Sequence, residues 1–186
     1  QRAVAIQEVQ NEADAREADS ARMEETAQLH TDFNSLQGRA ATEALPTYLE
    51  GLKAVRAKYR DGLGSDSAKR SYDRFSHGDI GRLTFSAATH AAGQLRSHVA
   101  GSSEARIELK KNEIFNNPDD PSVLNTGLQT IEGEIRGTIA PAKGLSEPEI
   151  EKAVFEGKSD AITKAVIGLA RTDPQRAKEL FDANRD

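Results

Sequence analysis

The sequence predicts an all-α protein, and three observations carry that prediction. Apolar residues recur at helical spacing, most clearly Leu45, Leu49, Leu52, Val55 and Tyr59, at intervals of four, three, three and four. Helix caps and chain breakers alternate in a consistent order from one end to the other. No stretch of useful length alternates apolar and polar residues as a strand would. Within that class the expected architecture is an elongated helical bundle. It has a long polar N-terminal helix, a helical hairpin and several short C-terminal helices. The expected division is an arm over 1–37, a hairpin core over 38–101 and a small-helix region over 102–186. The chain opens on Gln1, which reads as a processed protein or an ordered segment of a longer one.

Residues 1–37 contain neither Pro nor Gly and are rich in Ala, Glu and Gln, all good helix formers. A continuous helix of that length spans about 55 Å. Its apolar seam is thin. Ile6, Val9 and Ala13 continue through Arg16 and Ser20 to Met23 and Ala27, and Leu29, Phe33 and Leu36 begin a second seam. Such a helix reads as a solvated or fraying arm or, alternatively, as one member of an oligomeric helical bundle.

Gly38 interrupts. Pro46 suits the first turn of the next helix, where its missing N–H is not needed. The sequence Asp61-Gly62-Leu63-Gly64 ends that helix, with Gly able to take a left-handed cap. Ser65 or Asp66 caps its successor. Tyr72, Phe75, Leu83 and Ala87 mark one face of that successor, with Asp79 breaking it, and Gly78 and Gly81 suggest a bend. Phe85, Ala88, Ala92, Leu95 and Val99 form a second stripe, and Gly101 is expected to stop the helix. Ser102 or Ser103 would cap a further helix with Ile107, Leu109, Ile114 and Phe115. Asp120-Pro121 starts another, bearing Val123, Leu124, Leu128, Ile131 and Ile135. Gly137, Pro141 and Gly144 read as a connector. Ser146 and Glu149 match a capping box. Ile150, Val154 and Phe155 follow, and Gly157 is expected to end that piece. Ser159 would cap a helix with Ile162, Val166, Ile167 and Leu169, and Asp173-Pro174 a last short one with Ala177, Leu180 and Phe181.

Charge is unevenly placed. The 186 residues sum to −5, with 30% charged, 37% hydrophobic and 5% aromatic. Residues 1–30 carry seven acids and three bases, and residues 53–74 carry seven bases and three acids. The seven bases are Lys53, Arg56, Lys58, Arg60, Lys69, Arg70 and Arg74. They are the candidate contacts to DNA or to an acidic partner, with the acidic helix of this chain or of a neighbouring copy as the favoured counterpart. Tyr59 and Tyr72 lie between them but fit the apolar faces.

No catalytic, cofactor-binding or metal-binding residue is expected. The absence of Cys excludes disulfides, thiolate metal sites and Cys nucleophiles. His30, His77, His90 and His98 lack metal-ligand spacing. His90 and His98, eight apart, fit packing or surface roles. Glu104, Glu108 and Glu113 make no acid/base pair without a cleft. No phosphate-binding or nucleophile-elbow motif occurs. No apolar run reaches the ~20 residues of a membrane span.

The run AATEALPTYLEGLKAVRAKYRDGLGSDSAKRSYDRF, followed by SAATHAAGQLRSHV, resembles long helical virion proteins of tailed bacteriophages. In those chains a small-residue helix leads into an LP-initiated pattern of leucines whose tyrosine corresponds here to Tyr59. An alanine stripe continues at Ala87, Ala88 and Ala91. The resemblance covers roughly half the chain and transfers no functional residue. It implies an internal or ejection (pilot) protein, without enzymatic activity of its own, that helps deliver the genome through the tail and host envelope by oligomeric helix packing. The implied partners are copies of itself, portal, tail or core proteins of the virion, and phage DNA. The implied location is the virion interior or tail, then the host cell envelope. Three further readings stand beside it: a tail or portal-associated assembly protein that stays in the particle, a bacterial helical adaptor or sensor module, and a fragment of an enzyme whose lytic site lies outside these residues or hidden among them.

Overall fold

A computed structural model describes residues 2–184, with side chains over 4–184. The fold is all-α, with no strand among the described residues. The helices are α1 (Arg2–Asn34), α2 (Arg39–Asp61), α3 (Asp66–Asn116), α4 (Pro121–Glu134), α5 (Ala140–Lys143), α6 (Glu147–Ala170) and α7 (Pro174–Ala183), with a π-helical turn at Ile135–Ile139 between α4 and α5. The chain divides into two units, residues 1–95 and 96–186. Helix α3 contributes its first part to one and its last part to the other, so the boundary expected at 101/102 falls inside a helix.

In the first unit α1, α2 and the start of α3 pack together. Gly38 makes the α1–α2 turn, with φ of 55° in a region that favours glycine. Its N–H donates to Gln94 Oε1 at 3.0 Å. One core cluster is Phe33, Tyr48, Leu52, Leu83, Ala87 and Ala91, and the other is Ala15, Leu63, Ala68 and Tyr72. Phe33 stacks on Tyr48 at 4.5 Å and meets His90 edge-on. His90 Nε2 donates to the Leu36 carbonyl at 3.0 Å.

Several expectations for this unit are overturned. Helix α1 does not bury Ile6, Val9 and Met23, which are exposed. It buries Asn11, Ala15, Arg22, Thr26 and Phe33 instead, positions that recur at helical spacing on the opposite side. The residues expected to make a fraying arm are thus docked along one polar seam. Helix α2 begins at Arg39, which places Pro46 inside it. Gly62 keeps right-handed helical angles, so no left-handed cap forms there. Helix α3 runs through Gly78 and Gly81. It buries Leu83, Ala87 and Ala91, and leaves Phe85 and much of Leu95 in solvent.

The second unit holds the end of α3 and everything after it. Its core is Ile107, Ile114, Ile131, Ile135, Ile139, Val154, Ala161 and Ala165. Gly101 does not stop α3, and neither Ser102 nor Ser103 caps a new helix. Ser103 is buried in the continuing one. Leu109 is exposed on it. Nor does Gly157 end α6. A Cβ there would lie 2.9 Å from Ile131 Cγ2, so the residue marks a close helix approach rather than a terminus, and Ser159 caps nothing. Helix α6 buries Ala161, Ala165 and Leu169 and leaves Phe155 and Ile167 largely exposed. Gly137 lies in the π-helical turn and Pro141 in α5, so only Gly144, with φ of 67°, is the turn of the expected connector.

At three of the expected helix starts the cap forms where the sequence puts it. Asp120 accepts from the Ser122 N–H at 2.8 Å and Asp173 from the Arg176 N–H at 3.1 Å. The Ser146 N–H donates to Glu149 Oε2 at 2.8 Å, which holds that carboxyl below its usual range through bonds to the Ser146 side chain and backbone.

Candidate functional site

The candidate site is a cleft between α2 and the first part of α3. Lys53, Arg56 and Arg60 recur at intervals of three and four, which puts them on one face of α2. Asp73 and His77, four apart on α3, form the opposite wall, with Ile80 one turn further on. The cleft has a volume of about 520 Å³ and is open to solvent. Asp73 is the clasp. It accepts from Arg56 Nη2 at 3.0 Å and from Arg60 Nε at 3.1 Å. Arg56 Nε also donates to Ser76 Oγ at 3.0 Å, and Ser76 is fully buried. The Arg56 backbone carbonyl accepts from Tyr72 Oη, and burial pushes the Tyr72 hydroxyl up to about 12.

This clasp fixes two guanidinium groups with a single carboxylate. Lys53 adds a third positive charge, and its only ion-pair partner among the described residues is Glu50 of the same helix, at 2.8 Å. Arg60 also contacts Asp61 of its own helix at 3.7 Å, and since Asp73 is the one acid in the lining, the cleft wall itself is net positive. Arginine held in this way suits carboxylates and phosphates, which it can bind through two parallel N–H bonds.

A mainly apolar cleft of about 380 Å³ adjoins it, lined by Leu45, Pro46, Leu49, Leu52 and Thr84 with Glu50 at its edge, and it shares Lys53 and Ile80 with the basic cleft. The two make one groove along α2 whose beginning is apolar and whose end is basic.

The seven basic residues singled out in the sequence do not act together. Lys53, Arg56 and Arg60 line the groove. Lys58 faces α1, where it contacts Glu25 at 2.6 Å and sits 4.9 Å from the Tyr59 ring centroid. Glu25 also accepts from Tyr59 Oη at 2.8 Å. The Lys58 and Tyr59 bonds hold its carboxyl below the usual range. Lys69, Arg70 and Arg74 lie on the first turns of α3, with no ion pair among the described residues, and Arg74 reaches only Ser71 Oγ. Among the described residues, the expected pairing of the acidic helix with the basic segment is thus made within this chain by one cross-helix ion pair, Glu25–Lys58.

A second polar constellation is hidden in the sequence. Arg22 is fully buried between Asp19, at 2.8 Å, and Asp79 of α3, at 3.1 Å. Burial pushes the Asp79 carboxyl up, but bonds from Arg82 and Arg22 outweigh it and hold the group low. Arg22 Nη2 is buried with no hydrogen-bond partner among the described residues. Counting back from Phe33 in steps of three and four reaches Leu29, Thr26, Arg22, Ala18 and Ala15, and that count is the signal that finds it.

No family model, curated protein sequence or solved structure matches this chain. No helix among the described residues is long and apolar enough to cross a membrane.

Proposed function

We propose that this chain is a structural component of a tailed-bacteriophage virion, an internal or ejection protein that acts by helix packing and has no catalytic role of its own. The resemblance of residues 40–137 to that class supports this reading. The observation that carries the mechanism is the polar seam of α1. Asn11, Arg22 and Thr26 are buried along it. Ser65 Oγ donates to Asn11 Oδ1 at 2.9 Å, and Arg22 meets Asp79. A helix held by hydrogen bonds and ion pairs exchanges those partners for water at a modest net loss. The stretch from Asn11 to Thr26 can therefore detach and return more readily than the end of α1, which Phe33 anchors by stacking on Tyr48. A protein that crosses a narrow tail and reassembles beyond it needs such a property. The groove beside α2 is then where acidic partners, or DNA phosphates, would be met.

The test is location. Antibodies raised against the chain should detect it in purified particles and lose it from particles that have released their genome, with the signal appearing in the host envelope. Retention in emptied particles would favour a tail or portal-associated component. Detection in uninfected bacteria would overturn the phage reading.

A further inference from the structure

We infer that the groove between α2 and α3 receives the outer face of α1 from a second copy of this chain. The inference stands on surface chemistry alone and does not depend on the phage reading.

Helix α1 has two faces. The inner one is buried. The outer one runs Ile6, Val9, Ala13, Arg16, Ser20, Met23 and Ala27, all exposed. The intervals alternate three and four, the spacing that keeps one stripe facing a partner helix. Ile6 and Val9 are 71% and 70% exposed, which leaves apolar surface with nothing over it. Glu12, Glu17 and Glu24 flank this stripe. Two α1 helices placed face to face would set acid against acid, so the stripe is built for a basic receptor. Arg16 is the one base on it. It is drawn aside by Glu12 at 2.6 Å and by the Phe75 ring of its own chain, 5.8 Å away.

The groove offers the complementary order. Its apolar end is formed by Leu45, Pro46 and Leu49, and its basic end by Lys53, Arg56 and Arg60. Along α1 the apolar Ile6 and Val9 come first, and Glu17 follows among the acids. A second α1 laid parallel to α2 therefore sets apolar on apolar and acid on base at once. Lengths agree as well. At 1.5 Å per residue the groove from Leu45 to Arg60 is about 22 Å long, which accommodates the stripe from Ile6 to Ser20. The docked helix would be the fourth of a bundle that now has three.

Sedimentation velocity on the full chain and its variants tests this. The unaltered chain should self-associate. Val9→Asp, on the stripe, and the double variant Pro46→Asp, Lys53→Glu, in the groove, should each weaken association by ~10-fold or more. All three positions are exposed, and circular dichroism should show unchanged helicity. Mixing the two variants should restore a one-to-one complex, because one retains the groove and the other the stripe. Glu17→Lys, exposed and outside any ion pair among the described residues, gives a second stripe variant should Val9→Asp lose helicity. A chain that stays monomeric up to about 1 mM would overturn the inference. So would variants that associate as the unaltered chain does, or a mixture that remains monomeric.

Discussion

The two units hold themselves together with different chemistry. The second is closed by isoleucines at short range. Ile114 packs so tightly against α4 that a Cβ on Gly127 would lie 2.6 Å from its Cδ1, and a Cβ on Gly168 would lie 2.6 Å from the Phe115 carbonyl oxygen. Most of its ion pairs, such as Arg136 with Glu132 and Glu151, or Lys158 with Glu132, decorate the outside of that core; the one buried charge among its described residues is Lys111, held by Asp160 and Glu108. The first unit places polar groups inside. Arg22, Thr26 and Ser76 are almost fully buried. Arg22 ties α1 to Asp79 of α3, Thr26 bonds carbonyls of its own helix, and Ser76 holds Arg56 of α2. Burying an ion pair contributes little net stability because both charges lose water, yet removing one partner is strongly destabilising. The first unit is therefore specific about how α1 sits but weak in holding it. The second gains its stability from apolar contact, which has no matching desolvation loss.

Substitutions can break this contrast at defined places. The largest effect is expected from Arg22→Ala, which leaves Asp79 with Arg82 as its one cationic partner and opens a cavity. It should destabilise the first unit by about 3 kcal/mol, read by urea unfolding with peptide-level amide exchange, while the second unit is unaffected. The double variant Arg22→Met, Asp79→Leu should recover most of that loss, because paired apolar replacements remove the desolvation cost on both sides. Next comes Gly168→Ala. Its Cβ meets backbone, which cannot rotate away, so the second unit should lose about 2 kcal/mol. Gly101→Ala, with nothing within 4 Å of its Cβ, should instead stabilise by about 0.5–1 kcal/mol through helix propensity. If Gly168→Ala and Gly101→Ala behaved alike, the close packing assigned to the second unit would be wrong.

Acid should separate the units more gently. Glu25 and Asp79 both hold α1 in place and both have carboxyls lowered from their ordinary values. A lowered carboxylate contributes stability above its unfolded value, about pH 4, and that contribution disappears as pH falls through the lower folded value. Below about pH 4, α1 should become exchange-labile before the isoleucine core does. Glu108 and Glu132 in the second unit are lowered too, by lysine and arginine partners, but their loss leaves that core in place. Equal acid lability of α1 and α6 would count against the distinction.

The sequence exposed its ends and turns more clearly than its faces. Asp120-Pro121, the Ser146–Glu149 box and Asp173-Pro174 are local devices. Each is satisfied by atoms within three residues, so each was readable. Gly157 misled because a glycine signals either a stop or a close approach, and only the neighbouring helix decides which; Gly101 is neither, sitting in open space on a helix that continues through it. The face of α1 misled for a deeper reason. In its first part the strongest apolar residues, Ile6 and Val9, lie outward, while the inward positions carry Asn11 and Arg22, which hydropathy alone assigns to solvent; only near its end does the legible seam of Leu29 and Phe33 face the core. The groove was half legible. The spacing of Lys53, Arg56 and Arg60 placed three bases on one face. Asp73, counted in the sequence only as one of three acids in a basic run, is the residue that organises them. Lys58 belongs to a different contact because two residues turn a helix most of the way round.

Amide hydrogen exchange at neutral pH tests the central claim most directly, since it reports the opening free energy of each helix separately. The amides of α1 near Asn11, Arg22 and Thr26 should exchange through a local opening of lower free energy than those of α4 and α6 around Ile131 and Ala161. Protection of α1 equal to or greater than that of α4 and α6 would contradict the account.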